Sequence, residues 1–305
     1  MSRTRQAAAS LPESENPRAG MLDTWPAEEV VKALVDEEGL AMKAVRARAA
    51  HVAQAAQLIG QRLAGGGRLV FVGVGTAGRM GALEAAETVP AFGLPPSLVV
   101  SIMAGGPHAL VRAAEAAQDN GREADQRMRR AAVGPSDVVC ALADAPVSRF
   151  LATALEYARF RRAAVILVTT AGAPAEDEEL VPDVLIDLAP GPEIIAGLTR
   201  HKAATALKLA ISAMTSAAFI GLGKTYGGLM VDVRPTTPRT WQRAIQVVMR
   251  MTHLDADEAE KLIKKAGGRA KVALIMHHAR VPAVRAKELL VQHKGSLRAI
   301  IGDVD

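Results

Sequence analysis

The stretch FVGVGTAGRMG, Phe71 to Gly81, runs from an apolar strand through a glycine-rich turn into a helix. Gly73, Gly75 and Gly78 follow the spacing G-x-G-x-x-G at this junction. Such a loop presents backbone N–H groups and the positive end of a helix dipole to an anionic or polar ligand. The stretch therefore predicts an α/β fold with a ligand site at the end of its first strand.

Five short segments share the composition of buried strands, being apolar and rich in β-branched residues: 68–73, 97–104, 137–143, 163–170 and 182–189. Helical stretches of ten or more residues alternate with them, for example 77–88, 107–117 and 148–161. This alternation is typical of a parallel sheet covered by helices on both faces. We expect a three-layer αβα sandwich with a five-stranded parallel sheet.

The chain divides into three regions by composition. Residues 1–26 lack the apolar core of a secretory signal and are predicted to be a mobile tail. Residues 27–254 carry the sheet and its helices. Residues 255–305 are predicted to form a small domain of three short helices, divided by Gly267-Gly268 and Val281-Pro282.

Composition narrows the classes of partner. The chain has 37 Lys and Arg against 32 Asp and Glu, with only two Trp, two Tyr and five Phe. Nucleic-acid binding needs a basic face interleaved with stacking aromatics, so we expect no nucleic-acid partner. The single cysteine, Cys140, excludes an internal disulfide and a multi-cysteine zinc site. These features favour the cytoplasm, and we expect neither metal nor cofactor.

The segment KAATALKLAISAMTSAAFIG, 202–221, is about long enough to span a bilayer. Lys208 and several hydroxyl side chains argue against a lipid environment, so we interpret it as a buried helix and expect no membrane association. Because a monomer would expose much of the apolar surface of this helix, we also expect a twofold-symmetric homodimer.

The glycine spacing also fits a dinucleotide site, which needs a carboxylate at the end of the second strand to bind ribose. SIMAGGPH, 101–108, has none there. A sugar or sugar phosphate fits better, and Thr76 adds a hydroxyl donor. A turn that uses glycine for its geometry alone is the remaining alternative.

Several stretches together resemble one family over nearly the whole chain. They are ESENP (13–17), GGRLVFVGVGTAGRMGALEAAETVPAFGLPP (66–96), IMAGGPHALVRAAEAAQD (102–119), GPEIIAGLTRHKAATALKLA (191–210) and GKTYGGLMVDVRPT (223–236). They resemble the N-acetylmuramic acid 6-phosphate etherases, which are sugar isomerase (SIS) domain proteins. The resemblance implies elimination of D-lactate from the sugar 3-oxygen followed by water addition, without metal or nucleotide. It also implies a homodimer with sites at the subunit boundary.

The resemblance implies two catalytic groups, a base and an acid. The family's acid lies on the helix after the glycine loop, where EAAE places Glu87. The base position is occupied by Gln118, and an amide cannot accept the proton at neutral pH. His108 and Glu115 are the candidates for a substitute base. If neither serves, the reaction is not performed.

The resemblance implies a substrate-binding set in two parts. The first is the glycine loop, with Ala77 in place of a serine: Gly75, Thr76, Ala77, Gly78 and Arg79. The second precedes and begins the helix at 202–221, where Leu198 and His201 replace a Ser and a Met: Glu193, Thr199, Arg200 and Lys202. Cationic groups at a helix start suit an anionic ligand, and surface charge is the alternative.

A second loop, ADAPVSR (143–149), departs from the family's small hydroxyl and glycine donors. Asp144 would repel a phosphate dianion, and Pro146 has no N–H to donate. Ser148 and Arg149 are available to compensate in part. The sequence of this loop therefore predicts weaker binding of phosphate.

Three functions stay open from the sequence. The first is a carbon–oxygen lyase of the etherase type, acting on an amino sugar or its phosphate. The second is a lyase or isomerase of the same scaffold with another ligand, including one that lacks phosphate. The third is a non-catalytic sugar-phosphate sensor, like the relative that restrains glucokinase in animals.

Overall fold

The computed structural model describes residues 13–172 and 181–304. Within them, a five-stranded sheet has the order β2-β1-β3-β4-β5, and every pairing in it is parallel. Its strands are β1 (Leu69–Gly73), β2 (Val99–Met103), β3 (Val138–Ala143), β4 (Ala164–Thr169) and β5 (Val184–Asp187). The predicted five-stranded parallel sheet is confirmed.

Helices connect and follow the strands. The α-helices are α1 (Ala27–Ala47), α2 (Ala49–Ala64), α3 (Gly75–Ala91), α4 (Gly121–Arg130), α5 (Arg149–Phe160), α6 (Lys202–Gly221), α7 (Pro238–Thr252), α8 (Ala256–Lys265), α9 (Ala270–Ala279), α10 (Ala283–Gln292) and α11 (Arg298–Ile301). A two-stranded antiparallel hairpin, β6 (Thr225–Tyr226) and β7 (Leu229–Met230), lies between α6 and α7.

Successive side chains along each strand point to opposite faces of the sheet, and helices cover both faces. Val70 and Val72 belong to a core that α4 and α5 complete. On the opposite face, Phe71 and Leu142 lie against Gly81 of α3, where an added Cβ would come within 3.1 Å and 3.0 Å of their side chains. This arrangement is the predicted αβα sandwich.

Two glycines allow β1 and α3 to approach each other closely. A Cβ on Gly73 would lie 2.5 Å from the Gly78 Cα, and a Cβ on Gly78 would lie 2.8 Å from the Gly73 carbonyl. Gly75, between them, has φ of +54°, a left-handed conformation that side chains disfavour. The G-x-G-x-x-G spacing thus has a steric cause at two positions and a conformational one at the third.

The segment predicted as a helix over 107–117 forms two 3₁₀ helices instead, Gly106–Leu110 and Glu115–Asp119. Val111 N–H donates to His108 O (3.3 Å), which closes the first as an i to i+3 turn. The prediction of one α-helix was wrong. Ala114 has a non-helical backbone (φ −140°, ψ 56°), and the carbonyl groups of Leu110 and Arg112, which an α-helix would use internally, accept from Arg79. Tertiary contacts override its helical propensity.

The predicted tail, residues 1–26, is described only from residue 13. Asn16 Nδ2 donates to Glu37 Oε2 (3.0 Å) and to Pro192 O (3.2 Å). Arg18 Nη1 donates to Glu37 Oε1 (3.1 Å). The described part of the tail therefore contacts α1 and the segment after β5.

The described residues form two compact groups, the first within Met1–Ala85 and Ser97–Met214 and the second within Ala86–Pro96 and Thr215–Asp305. The sequence predicted a boundary at 254/255, whereas the second group also includes α7. The reason is the amphipathic character of α7, whose buried residues Ala244, Ile245 and Val248 share one core with Ile263 and Val272 of the later helices.

Among the described residues, α6 alone is long and apolar enough to span a bilayer, and 56% of its most apolar window is buried inside the protein. Ala206 and Leu207 have no exposed surface. Burial of this kind is expected for the core helix of a soluble protein, as the sequence predicted for this segment.

Candidate functional site

A cavity of about 480 Å³ lies at the carboxyl ends of β1, β2 and β3. β1 stands between β2 and β3, so the strand order reverses at this strand. Ligands of open parallel sheets bind at such a reversal, outside the carboxyl ends of the strands. The fold therefore places the cavity where the glycine loop predicts a site.

Six of the predicted site residues line this cavity. They are Gly75, Thr76, Arg79, Gln118, Ser148 and Thr199. Ala77 and Gly78 lie beneath the cavity surface and are buried, Gly78 against Gly73 of β1. In the glycine loop, Gly75, Thr76 and Arg79 thus form cavity surface, whereas Gly78 allows the close approach to β1.

Asp144, the first residue after β3, has its carboxyl group at the start of α3. Thr199 Oγ1 donates to Asp144 Oδ2 (2.9 Å). The backbone N–H groups of Ala77 and of Asp144 itself lie close enough to the carboxylate to act on its pKa. Burial raises the pKa of Asp144, although these donors and the charge of Arg79 oppose that rise. A carboxylate of the protein therefore lies where the glycine loop would hold an anion.

Arg79 supports one wall of the cavity. Its Nε donates to Leu110 O (3.3 Å) and its Nη2 donates to Arg112 O (3.2 Å). Both acceptors belong to the segment that contains the 3₁₀ helices. Two N–H donors of this guanidinium are therefore used by backbone carbonyl groups of the cavity wall.

Glu115 and Gln118 both line the cavity from the 3₁₀ helix Glu115–Asp119. Side chains three residues apart eclipse each other in a 3₁₀ helix, so the carboxylate and the amide lie on one side. His108 is exposed on the preceding 3₁₀ helix and is not among the lining residues. Of the two predicted substitute bases, the structure brings Glu115 to the cavity.

Glu87 lies on α3, twelve residues after Gly75, which corresponds to about 18 Å along a helix. Its side chain is exposed and is not among those that line the cavity. Glu84, one turn earlier, accepts a hydrogen bond from Ser212 Oγ (2.8 Å). Glu87 therefore remains accessible, whereas Glu84 is engaged in packing contacts with α6.

Lys202, which the resemblance assigns to substrate binding, is paired with Glu37 inside the protein. Its Nζ donates to Glu37 Oε2 (2.6 Å) and Pro192 O (2.5 Å), and the two charged side chains are 1% and 5% exposed. Burial alone would raise the pKa of Glu37, but Lys202, Asn16 and Arg18 more than offset it and hold that pKa below its usual value. A buried ammonium needs such a partner, so it is not free to bind a sugar.

Glu193 is also engaged within the protein. Its carboxylate accepts from the backbone N–H groups of Lys202 (3.2 Å) and Ala203 (2.8 Å), which are the first residues of α6. Burial raises the pKa of Glu193, and these N–H donors oppose the rise. Glu193 thus caps α6, and Arg200 is exposed and outside the cavity lining.

Glu13 is a lining residue that the sequence did not assign to the site. Gly197, with φ of +75°, lies so close that an added Cβ would be 3.0 Å from Glu13 Oε2. Its signal in the sequence is the motif ESENP, which resembles the family.

No metal site is evident in residues 13–172 and 181–304, where no group of three or more His, Cys, Asp or Glu side chains is placed to hold an ion. Cys140 is fully buried in β3, and burial raises the pKa of its thiol.

Known proteins resemble this chain over most of its length. The model of the glucokinase regulatory protein N-terminal SIS domain matches residues 51–158. N-acetylmuramic acid 6-phosphate etherases from Gloeothece citriformis and Microcystis aeruginosa are 36% and 37% identical over 291 residues, covering 95% of this chain and 94% of each relative. The chain belongs to the N-acetylmuramic acid 6-phosphate etherase family. The etherase of Trichodesmium erythraeum is 34% identical over 304 residues, covering 100% of this chain and 98% of the relative.

Among solved structures, this etherase-family chain is similar to a phosphoheptose isomerase from Neisseria gonorrhoeae. The TM-score is 0.44 and the identity 19%, with 63% of this chain and 98% of that chain covered.

Proposed function

We propose that this protein is a carbon–oxygen lyase that eliminates D-lactate from an amino sugar of the muramic acid type. Its membership of the etherase family, with 95% of the chain covered by relatives of that name, carries the proposal. The cavity at the strand-order reversal, lined by the glycine loop, supplies a site of suitable size and polarity.

The reaction needs one base and one acid. The base removes the proton on carbon 2, beside the C1 carbonyl of the open sugar, and the electron pair of that bond forms the C2=C3 double bond. The C3–O bond breaks, and the acid protonates the oxygen of the departing lactate. Water then adds its oxygen to C3 and a proton to C2, so the ether and one water give the amino sugar and D-lactate.

Glu115 is the proposed base. It is a carboxylate in the cavity lining, on the same side of the 3₁₀ helix as Gln118. Gln118 itself can donate or accept a hydrogen bond but cannot take the proton, so its proposed role is to orient the substrate. His108 stays an alternative that the cavity lining does not favour.

Glu87 is the proposed acid, acting in a homodimer. Its exposed carboxyl group is accessible to a second copy of the chain. We propose that the site is completed at the subunit boundary, where Glu87 of one copy reaches the cavity of the other. The proposed compartment is the cytoplasm, in keeping with the single, buried cysteine.

The test measures release of D-lactate from N-acetylmuramic acid and from its 6-phosphate by the purified protein. Glu87→Gln and Glu115→Gln should each lower kcat by about 100-fold or more, because each removes a proton-transfer group. Glu156→Gln, the same change at an exposed position of α5, is the matched control and should retain activity.

Absence of D-lactate from both sugars with the folded dimer would reject the lyase. A sugar-dependent rise in melting temperature without turnover would then indicate the sensing alternative.

A further inference from the structure

The anion-binding position at the start of α3 already holds a carboxylate. The Ala77 N–H, in the first turn of the helix, lies close enough to the Asp144 carboxylate to lower its pKa. The Thr199 hydroxyl donates to the same carboxylate across 2.9 Å. A phosphate placed here would have to displace Asp144 from both groups.

The same position lacks side-chain donors that would suit a phosphate. Ala77 offers no hydroxyl, and its side chain is fully buried. In the loop after β3, Ala145 and Pro146 line the cavity without a side-chain donor, and Pro146 also lacks an N–H. A dianion with three strongly accepting oxygens would be left with unsatisfied acceptors.

The charge of the cavity opposes a dianion as well. Its described ionisable lining residues are Glu13, Arg79, Glu115 and Asp144. Three carboxylates against one guanidinium give a formal charge of −2 when all are ionised. The guanidinium of Arg79 is partly engaged by the carbonyls of Leu110 and Arg112.

A neutral hydroxyl suits this position. An ionised carboxylate has about four lone-pair sites, and Thr199 Oγ1 donates to one of them. Acceptor sites therefore remain for the O–H of a sugar.

We propose that Asp144 determines specificity, so that the cavity takes a muramic-acid-type sugar whose group facing Asp144 is a free hydroxyl and rejects the sugar that carries a phosphate ester there. The proposal rests on the proposed lyase function for its substrate class. The position of Asp144 among its donors is independent of that function.

The test compares kcat/KM for D-lactate release from N-acetylmuramic acid and from its 6-phosphate. The wild-type protein should favour the free sugar by about tenfold or more, and Asp144→Ser should shift this ratio toward the phosphate by about tenfold or more. Asp144→Asn, which keeps the shape and removes the charge, should shift the ratio in the same direction. Asp23→Asn removes the same charge from an exposed residue of the 3₁₀ helix Leu22–Thr24 and should leave the ratio unchanged.

A wild-type preference for the 6-phosphate, or a ratio that neither Asp144 variant changes, would overturn the proposal. Binding decides it even without turnover. The melting temperature of the wild-type protein should rise more with N-acetylglucosamine than with N-acetylglucosamine 6-phosphate, and Asp144→Ser should reverse that order. Absence of D-lactate release together with this binding order would reject the lyase and retain the specificity.

Discussion

Thr199 donates a hydrogen bond to Asp144 across 2.9 Å and thereby joins the segment before α6 to the loop after β3. The two residues lie 55 positions apart in the chain, and both line the same cavity. The hydroxyl of Thr199 therefore helps to hold the Asp144 carboxylate at the cavity wall.

Thr199→Val should destabilise the protein by about 1–2 kcal/mol, because it leaves a half-buried carboxylate without one of its donors. The pKa of Asp144 should rise further, since this hydrogen bond is one of the contacts that hold it down. Urea unfolding at neutral pH measures the loss of stability. Thr199→Ser keeps the hydroxyl and should lose less than half as much; equal losses for Val and Ser would refute the role of the bond.

Substitutions in the glycine loop separate two reasons for its glycines, close backbone approach and left-handed backbone conformation. Gly78→Ala should cost about 1–3 kcal/mol of folding free energy, because its Cβ would lie 2.8 Å from the Gly73 carbonyl, between backbones that have no room to move. Gly75→Ala meets no atom within 4 Å and should cost about 1 kcal/mol, from its φ of +54° alone. Thermal and urea unfolding of the two variants measure the difference.

Gly39→Ala is the control, at a half-buried position inside α1 with nothing within 4 Å of the added Cβ. It should be neutral or slightly stabilising, because alanine favours a helix over glycine. A larger loss for Gly75→Ala than for Gly78→Ala would show that conformation, not close approach, dictates the motif.

The sequence predicted the sheet well because buried parallel strands are nearly continuous apolar runs, as in β3 and β4. The sequence failed over 107–117, where alanine and arginine favour a helix but Arg79 donates to the carbonyl groups of Leu110 and Arg112. Local propensity carries no information about such distant contacts. The same limit applies to the 254/255 boundary, since the partners of α7 lie in later helices.

Part of the cavity lining could be predicted from the glycine loop, from the loop after β3 and from the family resemblance. Thr76, Ser148 and Thr199 respectively come from these three sources, and all line the cavity. Lys202 and Glu193 could not be placed, because their side chains are paired with Glu37 and with the start of α6, and such pairing depends on contacts distant in sequence. Residue type alone does not distinguish a ligand-binding cation from a buried structural one.

The Glu37–Lys202 pair should be essential to the fold of the first residue group. Lys202→Met should cost about 3–5 kcal/mol, because it leaves Glu37 buried and charged without its main partner. Since the folded pKa of Glu37 lies below its usual value, its contribution is present above about pH 4.5 and is lost as the pH falls through the lowered value. Urea unfolding between pH 3 and pH 7 should show that slope in the wild type.

The double variant Glu37→Leu with Lys202→Met should recover part of the stability that Lys202→Met loses, because neither side chain then leaves a buried charge. It should also lose the acid slope that Glu37 contributes. A double variant less stable than both single variants would mean that the pair acts through its hydrogen bonds to Asn16 and Pro192 instead.

The location of the base can be tested by exchanging two side chains. Glu115→Gln should abolish D-lactate release, and adding Gln118→Glu in the same chain should restore a measurable part of it, because both positions lie on one side of a 3₁₀ helix that lines the cavity. Gln118→Glu alone places two carboxylates side by side, so their repulsion should raise the pKa of one and move the acid limb of the pH–rate profile upward. Restoration of activity by Gln118→Glu distinguishes loss of a base from loss of structure, because a misfolded Glu115→Gln protein would not recover by a second change. If Glu115→Gln retains full activity, the base lies elsewhere, and His108→Asn becomes the decisive variant.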